Sequence, residues 1–412
     1  MEEYMKELEK GETRKKRTKR VAAKGEELAG KSKKSKTNTS STKPAENKVG
    51  NAGKMQVKTS GVVYEPTKYL CTLSALKETL EKYGVAVIEN VLNAEEVQKM
   101  NNGMWDALEE MTAEFSGHRE TKTAEPIAPI SRSDPSTWSN IRELMPMHRF
   151  LIQHWGIGHA KYAWDVRGNQ KVCEVFAQLH GVKPTELISS FDGAAIYLPP
   201  GGREGAGGRE ENLWLHTDQR FSYAKNPRRY SVQAWVTGFD VPVGGATLAF
   251  LEGSHQHHAA FARQFSRVSN NTADWYKLEQ QAEFDFLHSE CHCRIKAIAC
   301  SAGSMVLFDS RLFHSGMGPL KLSTPGPPVR NVVYVCMAPR SWSSRADLKK
   351  RQAIFEKRRL TSHCPYLPTM FPFMPRTYGK ALQKIKPPTS YTIAEMTPIM
   401  RALVPFEANL CK

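Results

Sequence analysis

The sequence has no apolar stretch that approaches the roughly 18 residues needed by a membrane-spanning helix. Its charged N-terminus also lacks the apolar segment of a secretory signal. The 8 cysteines are scattered, whereas a small secreted domain would concentrate them in a disulfide framework. We therefore expect no membrane partner and a reducing, intracellular compartment, either the cytoplasm or the nucleus.

The first 60 residues are almost without aromatic side chains and hold 17 Lys or Arg against 8 Glu. They carry +9 of the formal net charge of +16. Such a segment cannot bury enough apolar surface to fold, so we expect residues 1–60 to be a disordered basic tail. Its basic runs, between residues 14 and 36, favour non-specific contact with nucleic acid or a nuclear-localisation signal. A tail that only keeps the chain soluble is the alternative.

Residues 61–345 read as one large folded domain in which helices come first and strands follow. The spacing of apolar residues predicts a helix over Ser74–Tyr83, capped by Ser74 and stopped by Gly84, and then a strand over Val85–Leu92. Further helices are expected from Asn93, its cap, and over Trp164–Leu179. From Leu187 onwards the period changes to that of strands, and residues 346–412 read as a helix followed by a proline-rich wrap packed on the strands.

The segment Leu213–Asp218 carries the clearest chemical signal. Its alternation is that of a strand, so His216 and Asp218 point from one face while Thr217 points from the other. An imidazole and a carboxylate placed side by side can bind a metal, and a third ligand is then expected from a distant strand. His314 is the best candidate, because it ends a strand-like apolar run and precedes a Ser-Gly turn.

Arg330 opens another apolar strand beyond His314. Two histidines and one carboxylate form the facial triad of non-haem Fe(II) oxygenases, which leaves open positions on the metal. A guanidinium at the start of a neighbouring strand could pair with the far carboxylate of a dicarboxylic cosubstrate. The order of these four residues is a more specific signal than any one of them.

Over roughly residues 70–380 the chain resembles the phytanoyl-CoA dioxygenase family of Fe(II)/2-oxoglutarate oxygenases. Besides the triad and Arg330, the resemblance is carried by several shorter segments: Tyr83–Leu92, Trp164–Val172, Ser190–Gly193, Gly244–His255, Asp309–Arg311 and Thr361–His363. The chain departs from the family pattern at Thr217, where glutamine is frequent, and in the long proline- and glycine-rich loop before Arg330.

The resemblance implies a mainly β, α+β fold, with a double-stranded β-helix core of the jelly-roll or cupin type and N-terminal helices as its buttress. It implies Fe(II) held by His216, Asp218 and His314, with 2-oxoglutarate as cosubstrate and O2 as oxidant. Arg330 would bind the cosubstrate, and Gln233 would contact it as well. The expected reaction is hydroxylation with release of succinate and CO2, because related halogenases lack the carboxylate that Asp218 supplies.

Several alternatives stay open at this point. Gln233 and Arg311 could equally make structural bonds to neighbouring residues, whereas Arg311 at the site would contact 2-oxoglutarate or substrate. The glycine-rich segment 199–210 is either a lid or an ordinary surface loop, and Asp192 could project into the pocket. The rival function is a non-catalytic jelly-roll binding module recruited to nucleic acid or protein through its tail. We expect a small-molecule substrate in preference to a macromolecule.

Two further groups of histidine and cysteine residues are candidate metal ligands. Cys291, His292, Cys293 and Cys300 suggest zinc, but they lack the two ligand pairs of a structural zinc site, so strand residues are the favoured interpretation. His255 lies in a Gly-Ser-His turn, where we expect its ring to hydrogen-bond to backbone.

Overall fold

The computed structural model of the chain describes residues 55–118, 126–145, 150–199, 212–221, 230–269, 273–320, 329–376 and 382–406. All of them belong to one unit, Ala52–Lys412. None of the helices in these ranges combines the length and apolar character required to span a bilayer.

Short strands dominate the part of the chain that carries the predicted ligands. The described residues form sixteen: β1 Val57–Lys58, β2 Val63–Tyr64, β3 Val85–Ile88, β4 Leu151–Ile152, β5 Leu187–Ser189, β6 Ala194–Tyr197, β7 Asn212–Leu213, β8 His216–Thr217, β9 Val232–Thr237, β10 Thr247–Leu251, β11 Tyr276–Lys277, β12 Ile295–Ala297, β13 Met305–Asp309, β14 His314–Met317, β15 Arg330–Val335 and β16 Met337–Pro339.

Two six-stranded sheets contain most of these strands. The first sheet has the order β3-β13-β9-β15-β6-β4, and the second has the order β11-β8-β14-β10-β12-β2. All neighbouring strands are antiparallel except β12 and β2. Strand neighbours far apart in sequence, such as β9 and β15, are typical of jelly-roll connections.

An apolar layer joins the inner faces of the two sheets. Leu248 and Phe250 of the second sheet form one buried cluster with Trp235, Phe308 and Val332 of the first. Side chains at alternate strand positions point to opposite faces, so the neighbours of these residues along each strand face outwards. The inner face is therefore packed and largely apolar, and any charged group on it needs an explanation.

Helices cover the outer face of the first sheet. Met104, Leu108, Trp164 and Phe176 pack in one cluster with outward-facing strand residues such as Val333. The described α-helices are α1 Leu76–Tyr83, α2 Ala94–Thr112, α3 Lys161–Arg167, α4 Gln170–His180, α5 His258–Gln264, α6 Ser266–Ser269, α7 Gln281–Asp285, α8 Arg345–Glu356 and α9 Pro398–Leu403.

The predicted helix ends are confirmed in part. Asn93 caps α2 through a capping box with Glu96, in which each side chain binds the other residue's backbone N–H at 2.9 and 2.8 Å. Gly84 ends α1 in the left-handed conformation at φ 78°, and a Cβ there would lie 2.6 Å from the His255 ring. The predicted cap at Ser74 is wrong, because a 3-10 turn over Leu73–Ala75 precedes the helix and no side chain caps it.

Two predicted elements need correction. The helix expected over Trp164–Leu179 is two helices, α3 and α4, because the chain breaks at Gly168 and the side chain of Asn169 caps the second helix. The strand expected to reach Leu92 ends at Ile88, since the chain turns through a positive φ of 55° at Asn90.

The start of the folded chain also needs correction. Strand β1, at Val57–Lys58, pairs with β7, so ordered structure begins before residue 61, where the sequence placed it. The remainder of the predicted tail, residues 1–54, lies outside the described residues. The basic run at 14–36 and the glycine-rich segment 200–210 are outside them as well.

The chain after β16 behaves in part as predicted. Helix α8 forms as expected and buries Leu348, Ile354 and Phe355. The extended segment that follows contacts the chain between β4 and α3, as in the bond from Trp155 N to Phe373 O at 2.8 Å. Helix α9 was not predicted. The molecule is thus a mixed α and β protein with two mainly antiparallel sheets, and the double-stranded β-helix stays a prediction.

Candidate metal and cosubstrate site

Two short strands bring the predicted metal ligands together. His216 begins β8, His314 begins β14, and the two residues are direct partners in the second sheet. Opposite residues of an antiparallel pair carry their side chains on one face. The ring centroids of His216 and His314 are accordingly 4.3 Å apart, and the His314 ring packs 4.8 Å from that of Phe308 in the inner layer.

Asp218 completes the group. It follows β8 directly, and its Oδ1 lies 3.6 Å from His216 Nε2 while its Oδ2 lies 3.5 Å from His314 Nε2. One ligand atom from each of the three residues lies within 4.8 Å of the other two. Within the described ranges, no other set of histidine, cysteine and acidic side chains meets this condition.

Backbone carbonyl groups fix the tautomers of both imidazoles. His216 Nδ1 lies 3.2 Å from Trp214 O, and His314 Nδ1 lies 2.9 Å from Leu312 O. A carbonyl oxygen can only accept, so each Nδ1 carries the hydrogen and donates it. In the neutral ring each Nε2 then keeps a lone pair that faces Asp218, and metal-binding histidines are usually oriented by such a second hydrogen bond.

The electrostatics of His216 and Asp218 agree with metal binding. Burial, with help from the His314 ring, lowers the pKa of His216 to about 4. Burial raises the pKa of the Asp218 carboxyl, but the two neighbouring imidazoles outweigh it and hold that pKa below its usual range. At neutral pH His216 is thus neutral and Asp218 ionised, the protonation states that metal ligands require.

This donor set fits ferrous iron. Two imidazole nitrogens and one carboxylate oxygen on one side of an ion leave the opposite positions for other ligands. A structural zinc site would instead be closed by four protein ligands, commonly with thiolates. Cys291, Cys293 and Cys300 are free thiols and belong to no metal-binding group of the described chain.

Three further groups hold Asp218 in place. Its backbone N–H donates to Ser310 O at 2.9 Å, and its Oδ2 accepts from Gln233 Nε2 at 3.0 Å. Its carbonyl oxygen lies 3.1 Å from His363 Nε2. Gln233 also donates to Ser310 Oγ at 3.2 Å. The structure thus gives Gln233 the neighbour-bonding role of the alternative interpretation, while its contact with cosubstrate stays a prediction.

Arg330 lies on the inner face, farther along the layer from the triad. It shares that face of β15 with Val332 and Tyr334, and its guanidinium lies 5.3 Å from the Trp235 ring centroid. The guanidinium donates to Ala246 O and lies near enough to the Tyr334 side chain to interact with it electrostatically. No carboxylate of the described residues lies within ion-pair distance of it. A half-buried guanidinium without an acidic partner is able to bind a carboxylate, because desolvated charges are normally paired.

A family model provides the decisive comparison, since the model for phytanoyl-CoA dioxygenase (PhyH) matches residues 80–318. The chain belongs to the PhyH family. His216, Asp218 and His314 all fall within the matched range. Membership of the PhyH family supports an oxygenase-type enzyme that depends on 2-oxoglutarate. It also implies that the mixed α and β fold has a jelly-roll core.

Individual relatives are more distant. The Ava biosynthesis cluster protein O of Aspergillus versicolor is 25% identical over 257 residues, which cover 58% of this chain and 73% of the relative. A hypothetical protein of Escherichia coli has a TM-score of 0.51 at 14% identity, over 83% of this chain and 86% of that one. At that identity the likeness concerns the fold alone.

A third similar structure is EctD from S. alaskensis, determined with 2-oxoglutarate and 5-hydroxyectoine. It has a TM-score of 0.38 and 15% identity, and covers 71% of this chain and 86% of that one. With a TM-score this low, the likeness carries no argument about the site of this PhyH family member.

Arg311 and His255, two further residues considered from the sequence, do not belong to the metal-binding triad. Arg311 is ion-paired with Asp309, at 2.8 Å from Nε to Oδ1, and lies 3.9 Å from the Tyr230 ring centroid. This is the structural ion pair of the alternative interpretation. His255 Nε2 donates to Glu81 O at 3.0 Å, so the backbone bond predicted for it is confirmed.

Sequence reasoning missed two residues near the triad of this PhyH protein. Tyr334 carries no signal of its own beyond its spacing of four from Arg330 on one strand face. His363 lies after α8, beyond the range that the family model matches, and only its place in the segment Thr361–His363 drew attention to it. Asp192, by contrast, was considered: it is buried, and burial raises its pKa while Gly193 N–H and His363 oppose the rise.

Proposed function

We propose that this PhyH family member is an Fe(II)- and 2-oxoglutarate-dependent dioxygenase that hydroxylates a C–H bond of a small molecule, with release of succinate and CO2. The observation that carries the proposal is the convergence of His216, Asp218 and His314, whose ligand atoms all lie within 4.8 Å of one another. His314 is distant in sequence from His216 and Asp218, yet its Nε2, the His216 Nε2 and the Asp218 carboxylate face a common point.

In this proposal the two Nε2 atoms and the Asp218 carboxylate hold the ferrous ion. When bound, the ion together with 2-oxoglutarate and O2 supplies the oxidant for the substrate C–H bond. The protein's own part is to keep the ligands in position. The backbone bonds to both Nδ1 atoms hold the rings, and the Gln233 bond at 3.0 Å holds Asp218 Oδ2, so little reorganisation is needed when a metal binds.

Arg330 is the proposed binding group for the far carboxylate of 2-oxoglutarate. Its guanidinium is on the inner face, has no acidic partner among the described residues, and can form two parallel hydrogen bonds to a carboxylate. Tyr334 lies on the same face of β15, between Arg330 and the end of that face nearest the triad. Arg330 would thus hold the far carboxylate, and the metal held by the triad would take the keto-acid end of the cosubstrate.

Two observations narrow the reaction and its substrate. Asp218 supplies the carboxylate whose absence would leave a metal position for halide, so its presence favours hydroxylation. The name of the Aspergillus versicolor relative places that protein in a biosynthesis cluster, which supports a small molecule as the substrate class here too.

The test is anaerobic reconstitution of the full chain with Fe(II) and 2-oxoglutarate, followed by admission of O2 and measurement of succinate. Asp218→Ala is expected to lower succinate formation at least about 100-fold, because two ligands bind the metal far more weakly than three. Asp274→Ala, which removes a carboxylate paired with Arg220 at 3.0 Å on the neighbouring segment, is the control and should stay within about threefold.

Full succinate formation by Asp218→Ala would contradict the proposal. So would an intact protein that binds neither Fe(II) nor 2-oxoglutarate, which is the behaviour of the non-catalytic binding module. Addition of candidate substrates to the active protein then identifies the one that raises O2-dependent succinate formation above the substrate-free rate.

A further inference from the structure

The extended chain after α8 is hydrogen-bonded to the segment between β5 and β6 and to α8 itself. Thr361 N–H donates to Phe191 O at 3.0 Å, and Thr361 Oγ1 accepts from Phe191 N–H at 2.9 Å. A few residues on, Pro365 O accepts from the buried Arg351 at 3.0 Å. His363 lies between these two anchors, so the position of its ring is set by the fold and not by its own contacts alone.

The His363 ring reaches the metal-binding segment from this direction. Its Nε2 lies 3.1 Å from Asp218 O. Because a carbonyl oxygen can only accept, Nε2 carries a hydrogen and donates it. The peptide plane that contains Asp218 O is rigid, and the residue's other peptide group donates to Ser310 O at 2.9 Å. The backbone on both sides of the Asp218 side chain is therefore held, by two different parts of the chain.

We propose that His363 is a positioning residue of the metal site, which fixes the Asp218 peptide so that the carboxylate faces His216 and His314. The proposal rests on the proposed function, because it assigns His363 a part in holding the same metal. It also gives the C-terminal segment a role in the site, although that segment lies outside the range matched by the family model.

A comparison within the molecule separates this role from ordinary packing. His180 makes the same kind of bond, with Nε2 at 3.0 Å from Met337 O. Met337 belongs to the two-stranded sheet of β16 and β5, which holds none of the triad residues. A histidine that only packs should affect folding stability. A histidine that positions a ligand should affect metal affinity as well.

The experiment uses Mn(II) as a redox-stable probe of the site in the full chain. Its dissociation constant is measured by electron paramagnetic resonance for wild type, His363→Gln, His363→Asn and His180→Asn. Glutamine can place an amide N–H close to the position of Nε2, whereas asparagine is too short to reach it. Hydrogen exchange of the peptide spanning residues 213–220 in metal-free protein is the second measurement.

We expect His363→Asn to weaken Mn(II) binding about tenfold, which is the lower end of the effect of removing a residue that supports a metal ligand. The variant should also exchange faster over 213–220. His363→Gln should remain within about threefold of wild type in affinity and keep its protection. His180→Asn should bind Mn(II) within about twofold, whatever its melting temperature.

Equal affinity and exchange in His363→Asn and wild type would overturn the proposal, and so would a loss in His363→Gln as large as that in His363→Asn. If His363→Asn does not fold, His363→Gln decides by itself: retained affinity and protection support the proposal, and their loss overturns it. If wild type binds no Mn(II), the proposed function fails, while the exchange measurement still tests the role of His363 in the metal-free chain.

Discussion

Residues 80–318, which the family model matches, and the described residues after them, 329–406, contribute to the site in different ways. The first region supplies His216, Asp218 and His314 from strands. The second supplies Arg330, on the strand that follows, and the His363 bond to Asp218 O. The ligands and most of the bonds that hold them thus lie in the part of the chain that the family model matches, whereas the proposed cosubstrate-binding residue Arg330 and one bond to the Asp218 backbone come from the chain that follows it.

The two regions are also held together differently. Apolar clusters from both sheets dominate the first region. The second packs into these clusters as well, through residues such as Phe355 and Leu403, and is in addition fastened by cationic or imidazole side chains that bind backbone carbonyl groups: Arg351, His159 and His180. Each of these polar bonds is specific in direction, so a single substitution can loosen the second region while leaving the apolar clusters intact.

The largest expected effect concerns the proposed cosubstrate contact of Arg330 in the second region. Arg330→Met should raise the KM for 2-oxoglutarate at least about 100-fold, because a buried carboxylate without its partner costs at least about 2 to 3 kcal/mol. Initial rates of succinate formation over a range of 2-oxoglutarate concentrations measure it. Arg311→Met, from the first region, should leave that KM within about threefold, since Arg311 is already paired with Asp309. The reverse result would assign the cosubstrate to Arg311.

A smaller effect is expected from the buried arginine that anchors the second region. Arg351 donates to Pro365, Ser189 and Leu403 carbonyl oxygens at 3.0, 2.6 and 2.9 Å. Arg351→Met leaves these acceptors without a donor and should lower the free energy of unfolding by about 2 kcal/mol. Lys350→Met, exposed on the same helix, should change it by less than about 0.5 kcal/mol. Equal effects in urea unfolding would show that the three bonds do not stabilise the fold.

The smallest expected effect is the pH dependence of folding stability, which tests the contacts that His159 and His180 make with the second region. Burial lowers the pKa of His159 to about 3 and that of His180 to about 4, from an ordinary value of 6.5. Between pH 6.5 and 4 the unfolded chain therefore binds more protons than the folded one, so stability is complete above pH 6.5 and decreases as the pH falls. Each histidine contributes at most about 1.4 kcal/mol per pH unit.

Urea unfolding at pH 7 and pH 5 measures this dependence. His180→Gln should reduce the loss of stability between the two pH values, because one buried group that resists protonation is removed. His118→Gln, at an exposed position, is the control and should leave the loss unchanged. An unchanged loss in His180→Gln would mean that His180 does not contribute to the acid sensitivity.

The triad could be predicted from the sequence because its signals are local. Alternation places His216 and Asp218 on one strand face whatever the rest of the chain does, and the Asn93 cap depends only on Glu96 three residues later. The pairing of His216 with His314, by contrast, depends on strand order, and there the family resemblance supplied what periodicity alone could not.

The errors have physical causes as well. The break between α3 and α4 depends on Asn169 and its side-chain bonds to the next turn, and apolar spacing continued across it. His363 could not be assigned from sequence, because its partner is a backbone carbonyl and any residue could provide one. Such contacts depend on how the chain folds back and leave no pattern in composition or spacing.

The strand that carries His216 is joined to its inner neighbour by a single pair of residues, His216 opposite His314. A metal bound by both rings would join the two strands a second time and would link residues that are distant in sequence. Its binding free energy would add to the folding free energy. The metal-free chain would then be less stable, and more easily cleaved by a protease, than the chain that holds the metal.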